Sequence, residues 1–376
     1  MPEAEDVPLD PYRAYIDAGL YDPASPDAVQ RAELIDFLAS VGCSIEEMLF
    51  AESEGRLFGL AGDRLLMPGR NTHTWGEVAA KVGMAPENLM RAVRAYGLPD
   101  VGLDVPIASD QDVEVLTSFA MFSQLQGEAD ALAIARVMGS SLQRIADAIS
   151  QAVRGNNETM QLENAASPTE TAVIWAAMAG LVPQVGAQLD PVFRHHLVSV
   201  RRHFEASASA DLSGSRQMRL GVGFVDLTGF TALTSRLTPA ELTRLLMMFE
   251  DQTTRAITAH SGRVVKFIGD EVMYVAPTAE QAATIAAVIV EGAPTEMPAR
   301  VGLAYGVVLA IDGDYFGDPV NLAARLVDRA QPSQILAPAE FLTQFGSPDG
   351  WTAEAVEAFS LRGISDPVSS VSLHRT

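Results

Sequence analysis

Through most of the first 204 positions apolar residues recur at spacings of three and four, the period of a helix with one buried face. Residues 27–39, 74–81, 86–96 and 110–153 carry the pattern, and Gly97-Leu98-Pro99 and Ser167-Pro168 punctuate it. The stretch EASASADLSGSRQMR, residues 205–219, is small and polar, a linker composition. After it the texture changes. Residues 220–225 form a short apolar run that ends in Asp226, which predicts a buried strand. Residues 239–259 return to helical spacing, with Thr238 as N-cap and Pro239 at the first helical position. Residues 263–268 and 271–276 read as two strands joined by a Gly269-Asp270 turn. A helix over 278–290, a strand over 300–311 and a helix over 319–330 follow. The order β-α-β-β-α-β is the ferredoxin-like pattern, an antiparallel sheet with helices on one face. The expected class is α+β: an all-α domain over 1–204, a linker over 205–218 and a ferredoxin-like domain over 219–376.

Charge narrows the partners. The chain of 376 residues carries a net charge of −22, so its surface repels phosphate backbones and acidic lipid, and neither nucleic acid nor membrane is expected. A single cysteine, Cys43, excludes an intrachain disulfide and a cysteine-based zinc cage. The acidic start MPEAEDVPLDPYR lacks the features of a signal peptide. No uninterrupted apolar stretch is expected to span a bilayer, and the expected location is the cytoplasm. Only two of the 26 basic residues are lysines, Lys81 and Lys266.

Three motifs stand at the strand ends of the second domain. FVDLTGFT places Asp226 at the end of a strand, KFIGDEVM places Asp270 in a hairpin turn, and GDYFGDPVNLAARL places Asn321 and Arg325 four apart on one helix face. Two carboxylates that converge from neighbouring strands repel unless cations sit between them, and hard oxygen donors favour Mg²⁺ or Mn²⁺. Two such ions suit phosphoryl chemistry, one activating an attacking hydroxyl and both neutralising phosphate charge. Gly229 and the amides after Asp226 open a helix whose N-terminus suits a phosphate. A strand-ending Asp also reads as an ordinary turn or cap residue.

Taken together, the motifs over residues 219–375 resemble the catalytic domain of class III adenylate and guanylate cyclases. The resemblance implies metal-binding aspartates at Asp226 and Asp270, with the Leu227 carbonyl touching a metal. It implies a purine-selecting pair at Lys266 and Asp314 and a transition-state pair at Asn321 and Arg325. Phe230 joins the substrate-binding set, and Arg362, in LRGIS, resembles a position that meets the terminal phosphates; it also reads as a surface arginine. The family geometry implies a homodimer with two shared sites across a twofold axis. Base choice follows from chemistry as well. Adenine offers an acceptor at N1 and a donor at N6, whereas lysine only donates and ionised aspartate only accepts, so the pair matches adenine. The expected reaction has the ribose 3′-hydroxyl of ATP attack the α-phosphate, releasing pyrophosphate and cyclic AMP, with Arg325 against the growing charge. No general base is assigned.

Residues 1–204 resemble the helical regulatory domain of the acid-responsive, autoinhibited bacterial cyclases. His195, His196 and His203 lie just before the linker, where a change of charge between pH 5 and 8 would bias subunit packing, and they also read as surface histidines. The apolar helices over 115–153 suit either a dimer core or a pocket for a fatty acid or another small regulator. Two rivals remain. Residues 72–99 resemble a helix-turn-helix DNA reader, but the second helix offers only Arg91 and Arg94 in an acidic chain, so a helical packing module is preferred. A nucleotide-binding scaffold without activity would have no need of Asn321 and Arg325. The absence of a Gly-Lys pair excludes a Walker A loop.

Overall fold

A computed structural model describes residues 11–67, 69, 72–161, 167–207, 216–346, 348–360 and 367–376. The chain divides into two compact units, Met1–Phe193 and Arg194–Thr376.

The first unit is helical, as its periodicity predicts, with a two-stranded ribbon added: His73–Thr74 pairs antiparallel with Pro106–Ala108. The helix expected over 110–153 is two helices, Asp110–Gln126 and Glu128–Gln161, because Gly127 takes φ 96° and breaks the run. Trp75–Val82 and Pro86–Tyr96 meet at Gly83, whose positive φ of 73° closes the first of them. Thr74 caps that helix in a reciprocal box with Glu77. These two helices bury Trp75, Val78, Leu89, Met90 and Val93 in one apolar cluster, while Arg91 pairs with Glu128 and Arg94 with Asp100. The pair packs inward, and its two arginines are engaged within the fold. One expectation needs correction. Pro168–Arg201 is long and apolar enough, by length and composition, to cross a membrane, although little of it is buried. It runs as two helices, Pro168–Ala179 and Val182–Ser207, broken around Gly180.

The second unit holds β1 (Gln217–Leu227), α1 (Phe230–Thr234), α2 (Pro239–Ala259), β2 (Arg263–Ile268), β3 (Glu271–Ala276), α3 (Ala279–Gly292), β4 (Ala299–Ile311), β5 (Asp314–Phe316), α4 (Asp318–Arg329), β6 (Ile335–Pro338), α5 (Phe341–Phe345), β7 (Trp351–Phe359) and β8 (Val368–Arg375). Its eight-stranded sheet runs β2-β3-β1-β4-β6-β8-β7, with β5 paired to β4. The first four strands are antiparallel neighbours in the ferredoxin-like order, and β4 to β6 is a parallel step. Thr238 and Glu241 form the capping box that starts α2, and Thr278 caps α3.

Alternation along β1 divides the core. Val225 and Leu227 join the cluster built with α2 and α3, while Met218, Leu220, Val222 and Phe224 join a second cluster against α4. The expectation of helices on one face therefore holds for α2 and α3, and α4 covers the other face. Glycines set both distances of approach. A Cβ at Gly221 would lie 2.6 Å from the Ala282 Cβ of α3, and one at Gly302 would overlap the Ala323 carbonyl and Val327 amide of α4. With no side chain at Gly302, α4 settles directly on β4.

Candidate active site

β1 and β3 are in register through Asp226 opposite Glu271, and β1 and β4 through Asp226 opposite Arg300. Cross-strand partners on one face of a pleated sheet touch. Arg300 sets both Nε (2.7 Å) and Nη2 (2.6 Å) on Oδ2 of Asp226. Its Nη1 donates to the Asp328 carbonyl at 3.1 Å and the Ala330 carbonyl at 3.5 Å, at the end of α4. Asp270 follows Gly269, whose φ of 66° suits the tight turn between β2 and β3. Burial, then the charge and contact of Asp226, hold the Asp270 carboxyl above the ordinary carboxylate range. Glu271 is pushed up to about 7, first by burial and then by Asp226, Asp328 and Asp270, with Arg300 opposing. Asp226 and Asp270 therefore converge, as the strand-end and turn positions predict. The local charge is a surplus of carboxylates over the one guanidinium at Asp226.

That donor set fits divalent cations. The oxygens are hard, and burial together with the neighbouring carboxylates raises Asp270 and Glu271. Among the described residues no cluster of three or more His, Cys, Asp or Glu forms an all-protein cage. Mg²⁺ is commonly held by one or two carboxylates together with substrate phosphates and water.

A second group forms near the opposite end of β4 from Arg300. The Asp312-Gly313 turn, with φ of 53° and 82°, returns the chain so that Asp314 opens β5 opposite Ile311. Asp314 Oδ2 accepts from Lys266 Nζ, and its Oδ1 accepts from the Tyr315 amide at 2.9 Å. A bulge between Val264 and Lys266 shifts the register of β2, a device that re-aims a side chain on an edge strand. Lysine and aspartate, 48 positions apart in sequence, thus present a donor and an acceptor side by side.

The third group lies on α4. Ala323, Leu326 and Val327 are buried toward the sheet, while Asn321 and Arg325 are exposed on the outer face, one turn apart. Arg325 stands 4.0 Å from Asp328. Leu227 is buried and pairs with Ala299. Phe230 opens α1 after Gly229, which takes φ 84°, and packs on the core cluster behind β1. The helix that follows Asp226 is thus a single short turn. Arg362 lies outside the described residues. His195 and His196 are exposed on Val182–Ser207, and the side chain of His203 lies outside the described set.

Sequence reasoning missed two residues at the carboxylates. Arg300 is the one charged residue in RVGLAYGVVLAI, a signal that a strand-end cation faces something acidic. Glu271 is only the first residue of the strand read over 271–276, and nothing in its sequence neighbourhood beyond adjacency to Asp270 singles it out.

Residues 18–204 match the family described as adenylate cyclase regulatory domain, and residues 214–374 match the adenylate and guanylate cyclase catalytic domain. An uncharacterised protein of Mycobacterium tuberculosis is 42% identical over 360 residues, covering 95% of this chain and 92% of its own. An adenylate cyclase of Streptomyces coelicolor is 34% identical over 284 residues, covering 74% of this chain and 72% of its own. A pH-sensitive adenylate cyclase of Mycobacterium tuberculosis is 28% identical over 374 residues, covering 94% and 90%. The chain belongs to the class III adenylate and guanylate cyclases and is a nucleotidyl cyclase that carries an N-terminal adenylate cyclase regulatory domain.

Proposed function

We propose that this cyclase converts ATP to 3′,5′-cyclic AMP and pyrophosphate at two sites shared between two copies of the chain. The Lys266–Asp314 pair carries the reading. Lys266 donates and Asp314 accepts, which fits N1 and the N6 amino group of adenine and leaves guanine with both contacts mismatched. The Streptomyces relative that bears the name adenylate cyclase supports the same choice.

Asp226 and Asp270 would hold two divalent cations, Mg²⁺ or Mn²⁺, with the Leu227 carbonyl as a further donor. When bound, such ions make a hydroxyl more acidic and neutralise phosphate charge. The protein's own groups then divide the work. Asn321 holds the ribose, and Arg325 meets charge that grows on the α-phosphate oxygens as the 3′-oxygen attacks. Arg300 pairs with Asp226 and balances part of the local carboxylate charge. Arg362 would reach the terminal phosphates, and Phe230 supports the segment after Asp226. In the homodimer Asp226 and Asp270 of one copy face Lys266, Asp314, Asn321 and Arg325 of the other.

The helical domain regulates this activity, with pH as the proposed signal, consistent with the pH-sensitive relative. Exposed His195 and His196 lie on the helix that leads toward the catalytic unit, where their charge would bias subunit packing.

The test compares kcat/KM for ATP and GTP in the purified chain with Mn²⁺. ATP is expected to be preferred by roughly 100-fold or more, and Lys266→Ala to remove most of that preference. Equal use of the two nucleotides would refute the assignment of the pair.

A further inference from the structure

Between the C-terminal halves of α2 and α3 lies a cavity of about 500 Å³ whose lining shares only Leu227 with the site above. Its walls are apolar: Met248, Phe249 and Ala256 from α2, Ile289 from α3 and Met297 from the loop before β4. Its floor includes Leu227 and Ala299, which are paired across β1 and β4. The next pair along the same two strands is Asp226 and Arg300, on the opposite face of the sheet. The cavity therefore sits one pleat behind the carboxylate that the cations require.

We propose that this cavity is a regulatory binding site for one neutral, apolar small molecule. Its volume falls within the range of small-molecule sites, about 300–1,000 Å³, and two methionines give its wall the compliance to fit varied shapes. The lining selects against charge. Arg255 is its one permanently charged group, and Asp251, one turn earlier, already holds that guanidinium. An anion would lose its hydration without a free counter-charge, and a nucleotide or sugar would leave its hydroxyls unpaired against Leu, Met and Phe. Gln252 and His260 line the same cavity and would serve a single polar group on the ligand. A ligand seated there presses on Leu227 and Ala299 and thereby on the strand pair that aims Asp226.

The test uses the full chain and the neutral fluorophore N-phenyl-1-naphthylamine. Saturable binding with one site per chain is expected. Ala256→Phe fills the cavity, and Ala259→Trp blocks it from an exposed position that tolerates a large side chain; each should weaken binding by roughly tenfold or more with unchanged circular dichroism. If Ala256→Phe fails to fold, the exposed substitution carries the test. Absence of saturable binding, as when another segment of the chain fills the cavity, overturns the site, as does equal binding by the wild type and both variants. The regulatory part rests on cations at Asp226 and Asp270. Half-saturation by Mn²⁺, read by electron paramagnetic resonance, should shift by roughly twofold or more when the probe is bound to the wild type. No shift despite saturable probe binding overturns regulation, whereas no Mn²⁺ binding at all overturns the cation assignment instead.

Discussion

Gly302 is the point where α4 rests on the sheet, so Gly302→Ala tests whether the position of α4 governs turnover. The added Cβ would overlap the Ala323 carbonyl oxygen and the Val327 amide nitrogen and stand 3.0 Å from the Leu326 carbonyl carbon. These are backbone atoms of a helix, which cannot rotate aside as a long side chain can. Ordinary contact begins near ~3.5 Å, so α4 must withdraw by a distance on the order of 1 Å. Asn321 and Arg325 travel with it. A displacement of that size at reacting groups costs roughly 100-fold in rate, while overpacking itself destabilises by about 1–3 kcal/mol. Cyclic AMP formation with Mn²⁺-ATP, corrected for folded fraction by thermal melting, gives both numbers. Gly221→Ala is the control: its Cβ meets Ala282 of α3 at 2.6 Å on the opposite face. It should destabilise to a similar degree yet keep kcat within roughly threefold of the wild type. If Gly302→Ala retained full kcat, or both variants lost it equally, the placement of Asn321 and Arg325 by α4 would not limit the reaction.

Three further outcomes are expected. Glu271, raised from 4.5 to about 7, contributes stability that is complete below the unfolded value and lost as pH rises through 7. Metal-free protein should therefore melt lower at pH 8 than at pH 5. The ceiling is about 3 kcal/mol, cut to about 1–2 kcal/mol by solvent screening, and Glu271→Gln should flatten the trend; an unchanged slope in that variant refutes the assignment. Arg300→Met removes the cation that shares Asp226, so Mn²⁺ should bind more tightly in a paramagnetic resonance titration while cyclic AMP formation falls; weaker Mn²⁺ binding contradicts the electrostatic account. Replacing His195 and His196 together by alanine should flatten the activity profile between pH 5 and 8, and a wild-type profile in that variant removes them from regulation.

Much of the catalytic unit was legible because its strands are short apolar runs closed by chemically distinctive residues. The run before Asp226 and the Gly269-Asp270 turn fixed the two strand ends that bring the carboxylates together. The capped start of α2 at Thr238 was equally plain, since Pro239 and Glu241 mark it from sequence. What stayed hidden depends on tertiary register. The bulge ahead of Lys266 and the pairing of Arg300 with Asp226 exist only once β1, β2, β3 and β4 are laid side by side. Gly302 and Gly306 look like interruptions in a strand, and only the packing of α4 shows that they admit a helix to the second face. Past residue 330 no element was assigned; β6, β8 and β7 extend the sheet there. In the first unit the period of three and four continues across Gly127, so helical spacing alone did not reveal the break between two helices.

A mixing experiment reaches the shared site most directly. Asp226→Ala lacks a cation ligand, Asn321→Ala lacks the ribose contact, and each is expected to be inert alone. In an equimolar mixture half of the dimers pair one of each, and one of their two sites draws every group from an unaltered position. Activity should return to about one quarter of the wild-type value. No recovery from two folded, dimeric variants would contradict a site built from two copies of the chain.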